Sequence, residues 1–290
     1  MANELFNRKV IIKTDNNIAL KNEDYKITFE VPFDDDMDMN TAEATVYNLK
    51  DSTITKLRKN DTITIEAGYN TDTGIICSGR ISNISTKYNG LDKITTINIK
   101  DGPDLSSKSL ENKTYVNGTK ASYILRDLAN TLGLAIAKFQ VPNDVTYTEG
   151  YVVDGNITEA MKTIATHCGI GVYVHKSKLY IRPITSGDDL RFTLSADTGL
   201  LGSPEAFSES TEVTEEDMKY VSKSRMKAVF GKWYIIENGY KVTSLLQHRF
   251  QVASIVTLKS REINAKCRVK SGVHTFDNDF RTELEMLEVE

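Results

Sequence analysis

The chain has 290 residues, 40% of them hydrophobic and 26% charged, with a formal net charge of -4. That length allows two or three domains and a core that needs neither metal nor disulfide, while the acidic balance argues against gripping nucleic acid through a basic surface. No apolar run approaches the roughly 18 residues that would span a bilayer, residues 1–6 lack the basic and apolar segments of a secretory signal, and Cys77, Cys168 and Cys267 are odd in number and widely spaced, so a reduced cytoplasm with buried free thiols is expected.

The first third reads as β. Val10 and Ile12, then Ile27, Phe29, Val31 and Phe33, alternate with polar neighbours, as a strand with one buried face requires. Pro32 falls near the end of its run, where a missing N–H does least harm. Asp51-Ser52 is expected to cap one short helical turn carrying Ile54 and Leu57. Ile63, Ile65, Ala67 and Tyr69 share a face; Ile75, Ile76, Ile81 and Ile84 continue the pattern, and Asn89-Gly90 reads as a hairpin turn before residues 93–100. About six strands and a small helix suit a closed barrel or sandwich.

The middle changes period. Ala121, Ile124, Leu125, Leu128, Ala129 and Leu132 form one stripe of an amphipathic helix ended by Gly133; Ile157, Met161, Ile164, Ala165 and Cys168 repeat it, ended by Gly169. Strands follow at residues 134–141 and 171–174, and Lys176-Ser177 turns into a strand over 179–184. Two helix–glycine–strand units make a small α/β module.

The last third returns to β. Residues 195–217 read as a flexible acidic stretch with Gly199, Gly202 and Pro204. Strands are expected over 229–236 and 240–250 about an Asn238-Gly239 turn, then through Val252, Ser254, Val256 and Leu258. Ile263, Ala265, Cys267 and Val269 alternate against Asn264, Lys266, Arg268 and Lys270, and Phe280, Thr282, Leu284 and Met286 close the chain. Lys266, Arg268 and Lys270 read as the wet face of a sheet, with Glu283 and Glu285 as cross-strand partners.

Catalytic vocabulary is sparse. His167-Cys168 with His175 suggests a metal corner only until Cys168 is placed on its helix's apolar stripe, and no fourth ligand follows at zinc-like spacing. No GxSxG elbow nominates a serine to join Asp127 and His167. There is no P-loop, and Gly169-Ile170-Gly171 lacks the third glycine of a dinucleotide loop. The run Asp34-Asp35-Asp36-Met37-Asp38-Met39-Asn40 is oxygen-rich but lacks the order of a calcium loop; it reads as a solvated loop, or as an acidic loop facing a partner through Asp34, Asp35, Asp36 and Asp38. Trp233 and Tyr234 read as core or interface filler. No metal, cofactor or catalytic residue is assigned.

The ordered series Phe29-Glu30-Val31-Pro32-Phe33, Tyr47-Asn48-Leu49, Ala67-Gly68-Tyr69 and Ser78-Gly79-Arg80-Ile81 resembles the first domain of baseplate hub proteins from phage tails and phage-tail-like bacteriocins. The segment from Thr198-Gly199 to Pro204-Glu205, and then Val242-Thr243-Ser244-Leu245-Leu246, resembles that family's entry into its second barrel. Family members often carry a glycine-rich turn where this chain has Gln251-Val252-Ala253-Ser254. The resemblance implies an α+β, mainly β fold: two antiparallel tail-tube-like β-barrel domains (1–104 and 188–290, the latter with the acidic loop) flanking a small α/β module with two helices (105–187). It implies a homotrimer of pseudo-sixfold symmetry that joins the tail tube protein to the central spike protein, with the tape measure protein and other baseplate proteins as neighbours. DNA would meet it only in passage through the lumen. The expected place is the tail baseplate of a virion or tailocin particle, assembled in a bacterial host's cytoplasm, with no membrane insertion by this chain. Rivals are a tail tube initiator or distal-tail adaptor with one barrel per subunit, a receptor-binding tail component, and a hydrolase-associated component, for which the residues after the second barrel leave no room.

Overall fold

The computed structural model describes residues 6–289; residues 1–5 and 290, including most of the stretch read above for a signal, lie outside the described residues. In chain order the first strands are β1 (Arg8–Thr14), β2 (Ala19–Lys21), β3 (Ile27–Asp34) and β4 (Thr41–Tyr47), then the single turn α1 (Asp51–Ile54), then β5 (Thr62–Tyr69), β6 (Asp72–Asn89) and β7 (Asp92–Lys100). Inward residues of these strands build one core, from Val10 and Ile12 through Ile63 and Ile65 to Ile97 and Ile99. Two side chains from far along the sequence, Leu246 and Phe280, complete it.

The middle holds β8 (Ser109–Tyr115), β9 (Thr119–Lys120), α2 (Ala121–Leu132), β10 (Ala135–Phe139), β11 (Thr146–Tyr147), β12 (Tyr151–Asn156), α3 (Ile157–Cys168), β13 (Ile170–His175) and β14 (Lys178–Pro183). Both helices bury the stripes expected of them and stop at Gly133 and Gly169, each in the left-handed conformation that glycine adopts without a Cβ clash. The Asn156 side chain caps α3 by accepting from the Thr158 and Glu159 amides. The helices pack on a three-stranded sheet of order β10–β14–β13, in which β10 and β14 run parallel.

The last third contains β15 (Asp188–Leu194), β16 (Leu200–Val213), β17 (Lys227–Val229), β18 (Lys232–Leu245), β19 (Ser254–Lys259), β20 (Asn264–Phe276) and β21 (Phe280–Glu288). A third core lies among them, with Phe250, Val256, Leu258, Cys267 and Met286 at its centre. This β unit and the first are hydrogen-bonded into one 14-stranded sheet, whose main path is β16–β18–β21–β20–β3–β4–β7–β6–β5–β1–β2. Strand β20 makes the join. Its first half pairs with β19 (Lys259 opposite Asn264), its second half with β3 (Ser271 opposite Asp34 to Phe276 opposite Phe29), and a bulge at Lys270 separates the halves against β21.

Several local expectations are overturned. The acidic stretch 195–217 is mostly strand: β16 pairs with β18 from Leu200 opposite Ser244 to Val213 opposite Trp233, with a bulge that absorbs Gly202 and Pro204. Both of its faces are largely exposed, so it carries no apolar period to read. Asn238-Gly239 is not a turn. Strand β18 runs straight through it, and the reversal comes at Phe230-Gly231, both with positive φ. Gly239 is needed for close approach, because a Cβ there would sit 2.1 Å from the Met286 carbonyl and 2.8 Å from the Phe207 ring. The bulge at Ile76 turns Ile75 outward, and the β6–β7 loop is Gly90-Leu91, one residue later than expected. Lys50, whose ammonium can only donate, stands at the N-cap of α1 and gives no side-chain cap, and the Asp51 carboxylate is held by Lys93 at 2.8 Å. Ala253 stands where a glycine-rich turn was the family pattern, and it takes the left-handed conformation itself, with φ 60°.

The basic row on β20 is only partly a wet face: Lys266 is exposed as expected, but Arg268 is buried and Lys270 half-buried. Arg268 is 1% exposed; its Nη1 meets Asp35 at 2.6 Å and its Nε donates to the Ser186 carbonyl at 3.0 Å. Lys266 pairs with Asp189 and Lys270 with Glu209, while Glu285 takes Lys241 instead.

Two outcomes follow. Arg268→Ala strands the Asp35 carboxylate beside an empty buried site and should cost about 3–5 kcal/mol, read as a fall in the urea unfolding midpoint; a loss under 1 kcal/mol would show that Arg268 is dispensable. Gly239→Ala should cost about 2 kcal/mol or more through the clash with the Met286 carbonyl, and limited proteolysis should then cut within the β16–β18 ribbon before the rest of the chain.

Candidate assembly surface

The four aspartates read as a partner-facing loop lie where all three cores meet. Phe33 is buried in the third core and Met37, only four residues later, in the core of the helical module, so the acidic loop carries the chain from one to the other. Asp35 is taken by Arg268. Asp36 meets Lys162 of α3 at 2.8 Å, and its backbone carbonyl accepts from the Val174 amide at 3.0 Å. Burial works against the Asp36 charge, but the bonds from Lys162 and the Met37 amide outweigh it and hold its pKa below the ordinary value. Asp34 accepts from the Asp36 amide and lies near Asp101; burial raises the pKa of both carboxyls, that of Asp101 to about 6. Asp38 is 72% exposed and 3.9 Å from Lys162, and it projects furthest outward.

The remaining titratable clusters are built inward. His167, on α3, donates from Nε2 to Asp217 at 2.8 Å, and its Nδ1 lies 2.8 Å from the Tyr147 hydroxyl. A His–Asp pair has the geometry of a catalytic dyad, but the third member here is a fully buried tyrosine, so the arrangement pins residues 214–220 against α3. Cys77, Cys168 and Cys267 are buried free thiols. Among the described residues no group of three His, Cys, Asp or Glu side chains converges as a metal would require.

Exposed apolar side chains sit instead on two projecting hairpins. Tyr88 and Leu91 stand out at the end of β6–β7, and Phe230, with Val229 and Trp233, at the end of β17–β18. Val116, Tyr123 and Val152 form a further exposed group on the helical module. Singly such residues are ordinary on a surface; here several are grouped at the ends of long two-stranded arms. None of them was singled out from sequence except Trp233, because exposure has no sequence period of its own.

The architecture is a mainly β, α+β tail-protein fold. No family model matches the chain, and no curated protein matches it by sequence. Solved structures do match. One is the tail protein from Neisseria meningitidis MC58, at TM-score 0.61 and 11% identity, with 98% of this chain and 97% of that chain covered. Another is the 43 kDa tail protein of prophage MuSo2 from Shewanella oneidensis, at TM-score 0.59 and 9% identity, with 97% and 96% covered. A third is an E. coli component of the type VI secretion system, described as structurally similar to the T4 bacteriophage tail proteins gp27 and gp5; its TM-score is 0.55 at 9% identity, with 96% and 76% covered. At these identities the likeness is one of fold.

Acid stability follows from two buried groups of opposite sign. His274 is fully enclosed, bonded to Thr282 and the Phe250 carbonyl, and burial lowers its pKa from 6.5 to about 3. The stability it contributes is complete above pH 6.5 and is lost as pH falls toward 3. Asp101, raised from 3.8 to about 6, contributes stability that is complete below pH 3.8 and lost as pH rises through 6. Urea midpoints at pH 7, 5 and 4 should therefore fall more steeply with acid in Asp101→Asn than in the unaltered chain, and less steeply in His274→Gln. Equal slopes in all three would contradict both assignments.

Proposed function

We propose that this chain is a structural component of a tail baseplate: a hub of which three copies close a pseudo-sixfold ring between a hexameric tail tube and a central spike. The observation that carries the reading is the likeness of nearly the whole chain to solved tail proteins, together with two β units lying side by side in one sheet. Three copies of a two-unit chain supply six units to a sixfold tube without a sixfold gene product. Residues 1–104, 105–187 and 188–290 are taken as the first tube-like unit, the helical module and the second tube-like unit, each with a core of its own. The sheet leaves β2 and β16 as the edges of its main path, with β15 and β17 also paired on one side only, and edges of this kind are covered in stable proteins; a ring lets neighbouring copies cover them.

In this reading the tail tube protein, the spike, the tape measure protein and other baseplate proteins are the partners, met through the hairpin ends and through Asp38 of the acidic loop. The polar strand faces line a lumen that is neutral or negative, so DNA or the tape measure protein passes without being held. The role is scaffolding, within the tail of a virion or tail-like particle.

Negative-stain images of the purified chain, alone and co-expressed with its neighbouring spike, test this. Threefold rings with a central hole are expected. Sixfold rings would move the chain to a tube-initiator or adaptor position, and monomers under both conditions would end the ring reading.

A further inference from the structure

A cleft of about 390 Å³ opens where the β13–β14 hairpin meets the outer side of β6 and the 248–254 segment, within the roughly 300–1,000 Å³ range of ligand pockets. Among its lining residues are two side chains that are almost wholly buried, Tyr173 at 1% and Arg182 at 3% exposed. The Tyr173 and Tyr180 rings stack with centroids 5.1 Å apart, and the Arg182 guanidinium carbon lies 5.7 Å from each ring centroid. Arg182 spends one donor, Nη2, on Asp188 at 3.2 Å, and Asp188 is itself 62% exposed. Its Nε and the Tyr173 hydroxyl are both buried; the two side chains lie close enough to interact with each other, but neither of these atoms makes a well-formed hydrogen bond among the described residues. Buried donors left without a full hydrogen bond are rare in native structures unless something fills them.

The rest of the lining has the same sign. Lys176 donates to the Gln251 side chain at 2.8 Å and makes no ion pair among the described residues. His175 donates from Nε2 to the same Gln251 oxygen at 3.2 Å. Arg249 is already held by Asp72 through two bonds, of 2.6 and 2.9 Å. Even with Arg249 neutralised, Lys176 and Arg182 face a single exposed carboxylate in a chain whose net charge is negative. Ile75, Leu190 and Val252 form an apolar lip beside these cations.

We propose that this cleft binds a carboxylate carried on an acidic peptide segment of a partner chain. The carboxylate meets the open donors of Arg182 in the side-on geometry that guanidinium favours, takes the Tyr173 hydroxyl as a further donor, and gains charge from Lys176. The methylenes of a glutamate side chain lie on the apolar lip, which a bare phosphate leaves uncovered. The cleft lies within one chain, so the site stands whether or not copies close a ring.

Isothermal titration of the full chain with acetyl-tetraglutamate amide tests this against acetyl-tetraglutamine amide and inorganic phosphate. Saturable binding of the glutamate peptide is expected, weakened by salt, with the glutamine peptide bound about tenfold more weakly or less. Arg182→Lys should lose about tenfold in affinity and Lys176→Gln about threefold, while Lys232→Gln, on the β17–β18 hairpin and paired with Glu212, should change nothing. Melting curves establish that each variant is folded; should Arg182→Lys unfold, Lys176→Gln on its exposed turn decides alone. Equal binding of the two peptides, binding unaffected by Lys176→Gln, or binding of phosphate without the peptide would each overturn the assignment.

Discussion

Everything in this molecule leans on the residue at the middle of β20. The Arg268 guanidinium touches the acidic loop through Asp35, the 183–188 connection through the Ser186 carbonyl, and the Tyr173 ring of the helical module at 5.9 Å. A charge so deeply buried is tolerable only with its donors occupied, so the three segments around it must all be in place together. Three residues further on, at Ser271, β20 has left β19 for β3. The same few residues thus fix how the two β units and the helices sit against each other.

Secondary structure that buries one face was legible from the sequence. The stripes of α2 and α3, their glycine stops, and the alternation in β1, β3, β5 and β21 each followed from a period that burial imposes. The ribbon of β16 and β18 was not legible, because strands exposed on both faces need no apolar period; Glu209 and Glu212 look like loop residues until their partners Lys270 and Lys232 are seen. Asn238-Gly239 misled for a related reason. A glycine needed for close approach and a glycine needed for a turn have the same spelling.

The surface was less legible than the fold. A run of aspartates announces charge but not its partner, and Asp35 and Arg268 are separated by 233 residues. Partners remote in sequence, 77 residues away for Lys266 and 61 for Lys270, likewise made Lys266, Arg268 and Lys270 look like a solvated row. Arg182 and Tyr173, two of the most chemically open side chains, sit on strands where their spacing signals only a hairpin. What marks them is polar atoms left unsatisfied after Asp188 has taken one Arg182 nitrogen, and that is visible only once the chain is folded.

The join between β3 and β20 has a consequence for how the chain comes to be folded. Strand β3 is made early, and its outer edge waits for residues 271–276; of the two late residues that close the first core, Leu246 comes shortly before them and Phe280 just after. At the usual 5–20 residues per second of synthesis, that edge stays open for roughly 10–50 s on the ribosome. Contacts this remote in sequence also slow folding, since the entropy of loop closure must be met before they form. The N-terminal strands are thus exposed to wrong pairing throughout most of translation, and Lys9, Lys13 and Glu66 on the outer faces of β1 and β5 put charge on their surface during that interval.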